Sequence, residues 1–155
     1  MASALIVYAS LTGNTEEAAE IFGQALVEQG IEVTIKEIGS TEVIDFLAYD
    51  VCIVGSYTYG PGTKGKLPEE AQDFYEEMMN VDLSGKWYTI FGSGDDCYPE
   101  WCTAVDDFDQ QFQKTGAKLA VPSYKFNLNP EEQEMEDLYE RAKILSEVIN
   151  QKERS

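Results

Sequence analysis

Five short runs of apolar and β-branched residues, separated by stretches with helical spacing, constrain this chain more than any other feature of its sequence. They are Ala4-Leu5-Ile6-Val7-Tyr8, Val33-Thr34-Ile35, Val51-Cys52-Ile53-Val54, Trp87-Tyr88-Thr89-Ile90-Phe91 and Lys118-Leu119-Ala120-Val121. Short continuous apolar runs read as strands buried on both faces, as in a parallel sheet. Between them, Ala18, Ile21, Phe22, Ala25 and Leu26 follow the i, i+3, i+4, i+7, i+8 rule of an amphipathic helix. Asn14 is placed to cap that helix, with Glu17 three residues on, and Gly30 is placed to end it. Ala71, Phe74, Tyr75 and Met78 predict a second helix starting near Pro68, and Trp101, Ala104, Val105, Phe108 and Phe112 a third. The last is expected to open at Asn129-Pro130, with Glu132 behind it and Leu138, Ala142, Leu145 and Ile149 as its stripe. A short helical turn is indicated near residues 41–47. Strands that alternate with helices imply right-handed crossovers, hence a doubly wound, five-stranded parallel sheet with helices on both faces.

The 155 residues fit one domain, expected over residues 1–150 with a polar C-terminal tail at 151–155. Eleven basic residues against 29 acidic ones give a net charge of −18, which disfavours nucleic acid and anionic lipid and favours a basic protein partner. The three cysteines, Cys52, Cys97 and Cys102, are too few and odd in number for a disulfide framework. The first residues carry no cationic region before their short apolar run, and nowhere do 18 apolar residues stand together. A soluble, cytoplasmic protein with reduced thiols is expected.

In a doubly wound sheet, ligands bind beyond the carboxyl ends of the strands at the topological switch point. Three stretches should gather there: residues 10–15, 55–66 and 92–101. The first, Ser10-Leu11-Thr12-Gly13-Asn14-Thr15, joins a strand to a helix and offers three hydroxyls, an amide and a glycine, with no Lys or Arg before Lys36. A helix N-terminus presents backbone N–H groups and the positive end of its dipole, so such a loop suits an anion, a phosphate above all. It lacks the Gly-Lys-Ser/Thr of a nucleotide-triphosphate loop and the G-x-G-x-x-G of a dinucleotide site. Taken alone, its Thr and Asn residues could equally do no more than cap the helix. The second stretch carries Tyr57 and Tyr59 among Gly55, Gly60, Gly62 and Gly65; the third carries Tyr98 and Trp101 with Gly92 and Gly94. Aromatic, glycine-rich loops beside a phosphate loop suit a flat ring with a phosphate tail, because aromatic faces stack and glycine permits close backbone approach.

On these residues, and over roughly 1–150, the chain resembles the short-chain flavodoxins. The resemblance implies a flavodoxin-like doubly wound sandwich that holds FMN noncovalently. Ser10-Leu11-Thr12-Gly13-Asn14-Thr15 resembles the family's phosphate loop. Thr58-Tyr59-Gly60 resembles the segment that covers one face of the isoalloxazine, and Gly94-Asp95 with Tyr98 the segment that covers the other. Ser93 and Cys102 complete the cofactor-binding set that the resemblance implies. The passage from Lys118 to Asn129 has no room for the insertion of the long-chain branch. The main departure is Pro61 with Gly62-Thr63-Lys64-Gly65-Lys66, where the family usually has an acidic residue after the glycine. The implied function is a low-potential one-electron carrier between reductases and acceptor enzymes with basic docking surfaces, acting as a monomer. With hydrogen bonds in place of cations at the phosphate, and Asp95, Asp96 and Glu100 nearby, negative charge disfavours the reduced, anionic ring.

Zero histidines remove Ser-His-Asp and Cys-His nucleophiles and make zinc improbable, so Cys97 and Cys102 read as packing beside the ring. A phosphoacceptor receiver domain would end its third strand on aspartate, where this chain has Gly55-Ser56-Tyr57. The rival reading is an FMN-dependent NAD(P)H quinone or nitro reductase, which needs a nicotinamide site that the chain does not display. A third, an interaction protein that has lost FMN, requires a damaged phosphate loop.

Overall fold

A computed structural model describes residues 2–9, 13–57, 69–94, 103–127 and 131–154. Strands β1 (Ser3–Ala9), β2 (Glu32–Glu37), β3 (Val51–Tyr57), β4 (Trp87–Gly94), β5 (Lys118–Leu119) and β6 (Tyr124–Asn127) form one parallel sheet. Its order is β2-β1-β3-β4-β5, and β6 also pairs with β4. Helices α1 (Asn14–Glu28), α2 (Glu69–Glu77), α3 (Thr103–Thr115) and α4 (Glu132–Arg154) cover it. The order reverses between β1 and β3, so the switch point lies beyond Ala9 and Tyr57.

Each central strand is buried on both faces, and alternate residues feed two cores. Ala4, Ile6, Val51, Ile53 and Phe91 pack beneath α1 and α4, with Phe22 edge-on to Phe91 at 5.9 Å. Leu5, Val7, Cys52, Val54, Tyr88 and Ile90 pack beneath α2 and α3, where Tyr88 stacks on Phe112 at 4.6 Å. The expected helical stripes are buried at Ala18, Phe22, Ala25 and Leu26; Ala71, Phe74 and Met78; Ala104, Val105, Phe108 and Phe112; Leu138, Ala142, Leu145 and Ile149, whereas Ile21 and Tyr75, expected in the first two, are only half-buried against the cores. Trp101, expected in the third stripe, lies outside the described residues. Gly30, at φ +86°, ends α1 as expected. Its N–H donates to Val27 O at 2.9 Å and that of Ile31 to Leu26 O at 3.1 Å, the paired bonds of a left-handed glycine stop. The turn near residues 41–47 is a 3-10 helix, Val43–Ala48, in which Asp45 Oδ2 accepts from the Glu42 N–H at 3.2 Å.

The structure alters three sequence expectations. The fifth lane of the sheet is not one strand over Lys118-Leu119-Ala120-Val121 but β5 and β6, interrupted at residues 120–123. Pro122 has no N–H to give the ladder, and the interruption is held by the Thr89 hydroxyl donating to Val121 O at 2.8 Å. Asn14 is not the cap of α1. Gly13 takes that place, at φ +90° with no side-chain cap bond, and Asn14 is the first helical residue. Strands β3 and β4 run on to Tyr57 and Gly94, so Gly55, Gly92 and Gly94 are strand residues rather than loop residues. Two of these glycines are there for packing. A Cβ on Gly55 would sit 2.4 Å from the Phe91 ring, and one on Gly92 2.4 Å from Val105 Cγ2 and 2.7 Å from Ser56 O.

Candidate functional site

The strands that precede the three stretches read from the sequence as loops end at one edge of the sheet. Strand pairing sets Ala9 beside Ser56 and Ser56 beside Gly92, so β1, β3 and β4 finish in one row. In sequence, residues 10–12, 58–68 and 95–102 follow these strands and lie outside the described residues. Of the fourteen residues expected to bind the cofactor, Ser10, Leu11, Thr12, Thr58, Tyr59, Gly60, Asp95, Tyr98 and Cys102 lie outside the described residues. The other five, Gly13, Asn14, Thr15, Ser93 and Gly94, fall on the first turn of α1 and the end of β4.

Gly13 has open space where a Cβ would stand, so its positive φ is what requires glycine. Its carbonyl accepts from the Glu17 N–H at 2.9 Å, which closes the first turn of α1. The N–H groups of that turn and the positive end of the helix dipole face the carboxyl edge of the sheet. One residue into the helix, Thr15 is 1% exposed, and its hydroxyl lies 2.9 Å from that of Ser93, itself 5% exposed. This bond ties α1 to β4 across 78 residues of sequence. Ser93 pairs in the sheet with Tyr57 on one side and Phe126 on the other, and Gly94 pairs with Asn127.

Side chains brace the margins of the edge. The Tyr57 hydroxyl donates to Glu70 Oε1 at 3.2 Å, which bridges the end of β3 to the first turn of α2. Lys125 Nζ donates to Asp106 Oδ2 at 2.8 Å and ties β6 to the first turn of α3. Glu16 and Glu17 stand in the first turn of α1. Tyr8, near the end of β1, has its phenol pushed up by burial and then by the charges of Glu16 and Glu37. The edge therefore combines hydroxyl and N–H donors with acidic surroundings. Cys52 lies away from it, within β3, and burial pushes its thiol up to about 12, so it packs as a small apolar group.

Sequence reasoning found Thr15 and Ser93 but not that they meet, since nothing local to either residue records the other. It also missed β6, whose Asn127 lies beside Gly94; the alternating Tyr124-Lys125-Phe126-Asn127 was the available signal.

The family model described as Flavodoxin matches residues 6–141. Over 144 residues the chain is 39% identical to "Probable flavodoxin 2" of Bacillus subtilis, covering 89% of this chain and 90% of that one. Among solved structures it superposes on a flavodoxin of Streptococcus pneumonia TIGR4 with a TM-score of 0.89 and 44% identity, covering 94% of this chain and 99% of that one. A short-chain flavodoxin associated with a non-canonical PDU bacterial microcompartment gives a TM-score of 0.89 at 41% identity, covering 95% and 98%. Among the described residues no helix is long and apolar enough to cross a membrane.

Proposed function

This chain belongs to the flavodoxin family, in its short-chain form, as an FMN-binding electron carrier rather than an enzyme, and on that premise we propose that it works at low potential, as a monomeric cytoplasmic shuttle between basic redox proteins. FMN supplies the one-electron chemistry. The protein's part is to hold, screen and tune it.

The proposed phosphate site is Ser10, Leu11, Thr12, Gly13, Asn14 and Thr15. The observation that carries this assignment is the left-handed Gly13 at the start of α1, with the buried Thr15 hydroxyl in the same first turn. Hydrogen-bond donors and a helix end suit a phosphate that no cation need neutralise. Thr58, Tyr59 and Gly60, which follow β3, are proposed to cover one face of the ring. Gly94 at the end of β4, with Asp95 and Tyr98 after it, is proposed for the other; Cys102 is proposed to pack beside the ring, and Ser93 completes the cofactor-binding set. Residues 1–150 act as one FMN-binding unit on this reading, followed by the polar residues 151–155.

Low potential is supported by the acidic surroundings. Glu16, Glu17 and the net charge of −18 raise the energy of an anionic reduced ring, and the same charge attracts basic donors and acceptors. Purified protein should release FMN, one per chain, on heating, and should not consume NAD(P)H with a quinone unless a reductase is added. Release of FAD or riboflavin would refute the cofactor assignment, and steady NAD(P)H consumption by this protein alone would refute the carrier assignment.

A further inference from the structure

Thr15 and Ser93 face each other hydroxyl to hydroxyl at 2.9 Å, and the geometry allows either to be the donor. Each hydroxyl has one proton to give and lone pairs with which to accept. Both side chains are almost fully buried, so neither proton is readily spent on solvent. Above its second pKa of about 6, a phosphate monoester offers only acceptor oxygens. A Thr15 hydroxyl that donates to such a group has spent its proton, so toward Ser93 it can only accept. Ser93 must then donate to Thr15, and it has no second proton for any other acceptor.

We propose that Ser93 is a positioning residue: by donating to Thr15 Oγ1 it turns the Thr15 proton outward to the phosphate, so that a residue at the end of β4 helps select FMN over riboflavin. The inference rests on the reading that Thr15 meets the phosphate, and it gives Ser93 a role through Thr15 rather than as a donor to the ring. Both partners are held for this. Ser93 is fixed between Tyr57 and Phe126 by strand pairing on its two sides. Thr15 sits in the first turn of a helix whose Ala18, Ala19 and Phe22 are buried in the core just below. The two oxygens are held together by the fold, and only the direction of the proton remains to be set.

The test is direct titration of flavin-free protein with FMN and with riboflavin at pH 7.5, for the wild type, Thr15→Val, Ser93→Ala and the double variant. Ser93→Ala should weaken FMN by roughly three- to tenfold and leave riboflavin within about twofold, as expected for one hydrogen bond acting on one proton. In the double variant FMN should bind no more weakly than in Thr15→Val alone, because Ser93 acts only through Thr15. If Thr15→Val selectively weakens FMN while Ser93→Ala weakens both flavins equally or neither, the phosphate reading stands and the positioning role falls. If Thr15→Val itself weakens both equally, the phosphate reading falls and takes the inference with it. Ser93→Cys keeps nearly the same shape with a much weaker donor, so it gives the same comparison should the alanine variant not fold.

Discussion

The two ends of the sheet are held by different chemistry. At the amino ends the ties are largely main chain: Glu32 N–H to Ala2 O and Asp50 N–H to Ser3 O, both 3.0 Å, Trp87 N–H to Asp50 O at 3.1 Å, and Lys118 N–H to Lys86 O at 2.9 Å. Lys86 Nζ adds bonds to Leu47 O at 3.1 Å and Tyr49 O at 2.6 Å. At the carboxyl ends, among the described residues, the ties between elements beyond strand pairing are side chain to side chain: Thr15 with Ser93, Tyr57 with Glu70, Lys125 with Asp106. A backbone group paired with backbone has no better offer from a ligand. A hydroxyl or carboxylate at a loop edge can change partner without disturbing the ladder. One end thus anchors the fold, and the other keeps polar groups that a cofactor can recruit.

Breaking the anchored side should give the largest effect and leave ligand choice untouched. Phe46 is fully buried and meets Phe74 at 5.6 Å and Phe112 at 5.9 Å, on the 3-10 helix that leads toward the amino end of β3. Phe46→Ala should cost about 3–5 kcal/mol in urea unfolding, by lost transfer energy plus a cavity. Its preference for FMN over riboflavin, measured on the folded protein, should equal that of the wild type. A changed preference would mean that the two ends are not separable.

Gly92→Ala tests the other end with a smaller effect. The added Cβ would lie 2.7 Å from the Ser56 carbonyl, which is main chain and cannot swing aside, and 2.4 Å from Val105 Cγ2. Overpacking of this kind costs about 1–3 kcal/mol. Because β3 and β4 carry both proposed ring segments, forcing them apart should weaken FMN and riboflavin alike, unlike the selective loss expected from Ser93→Ala. Lower stability with unchanged binding of both flavins would show that the strand ends do not set the spacing of the loops.

The anchored end was legible in the sequence and the recruiting end only in outline, for a physical reason. Strands buried on both faces advertise themselves as apolar runs, so β1, β3 and β4 could be read from Leu5, Ile53 and Ile90 and their neighbours. Ser56, Tyr57, Gly92, Ser93 and Gly94 extend β3 and β4 because partner strands pair with them, not because their own propensity demands it. Asn14 looked like a cap by residue type, yet the left-handed turn at Gly13 settled the helix start one residue earlier. The second half of the fifth lane was missed because Pro122 and Ser123 read as an end, whereas pairing resumes at Tyr124. No local pattern could have joined Thr15 to Ser93.

The smallest effect is expected at the edge of the sheet, where a polar cluster serves the fold alone. The Tyr124 hydroxyl donates to Asp137 Oδ2 at 2.6 Å, and Gln133 Nε2 donates to Oδ1 at 3.0 Å. The Arg141 guanidinium lies 4.5 Å above the Tyr124 ring and donates to Pro122 O, at the interruption between β5 and β6. Tyr124→Phe removes one bond in this cluster and should cost about 1 kcal/mol near neutral pH, not more, since Asp137 stands close to solvent. The pH dependence gives the sharper test. The bonds from Tyr124 and then Gln133 hold the Asp137 carboxyl below its ordinary 3.8, so their stabilisation is present above that value and is lost as pH falls through the depressed one. Burial first, and then the bond to Asp137, push the Tyr124 phenol above its ordinary 10.0, so the folded state loses ground as pH rises beyond 10.0. The difference in unfolding free energy between wild type and Tyr124→Phe should therefore be widest between about pH 5 and pH 9 and should narrow on both flanks. Flavin preference should not move, because the cluster touches neither Thr15 nor Ser93. A difference that stays constant from acid to alkali would show that the hydroxyl and the carboxylate are near neighbours without being coupled, and that the edge is held by the Arg141 contacts instead.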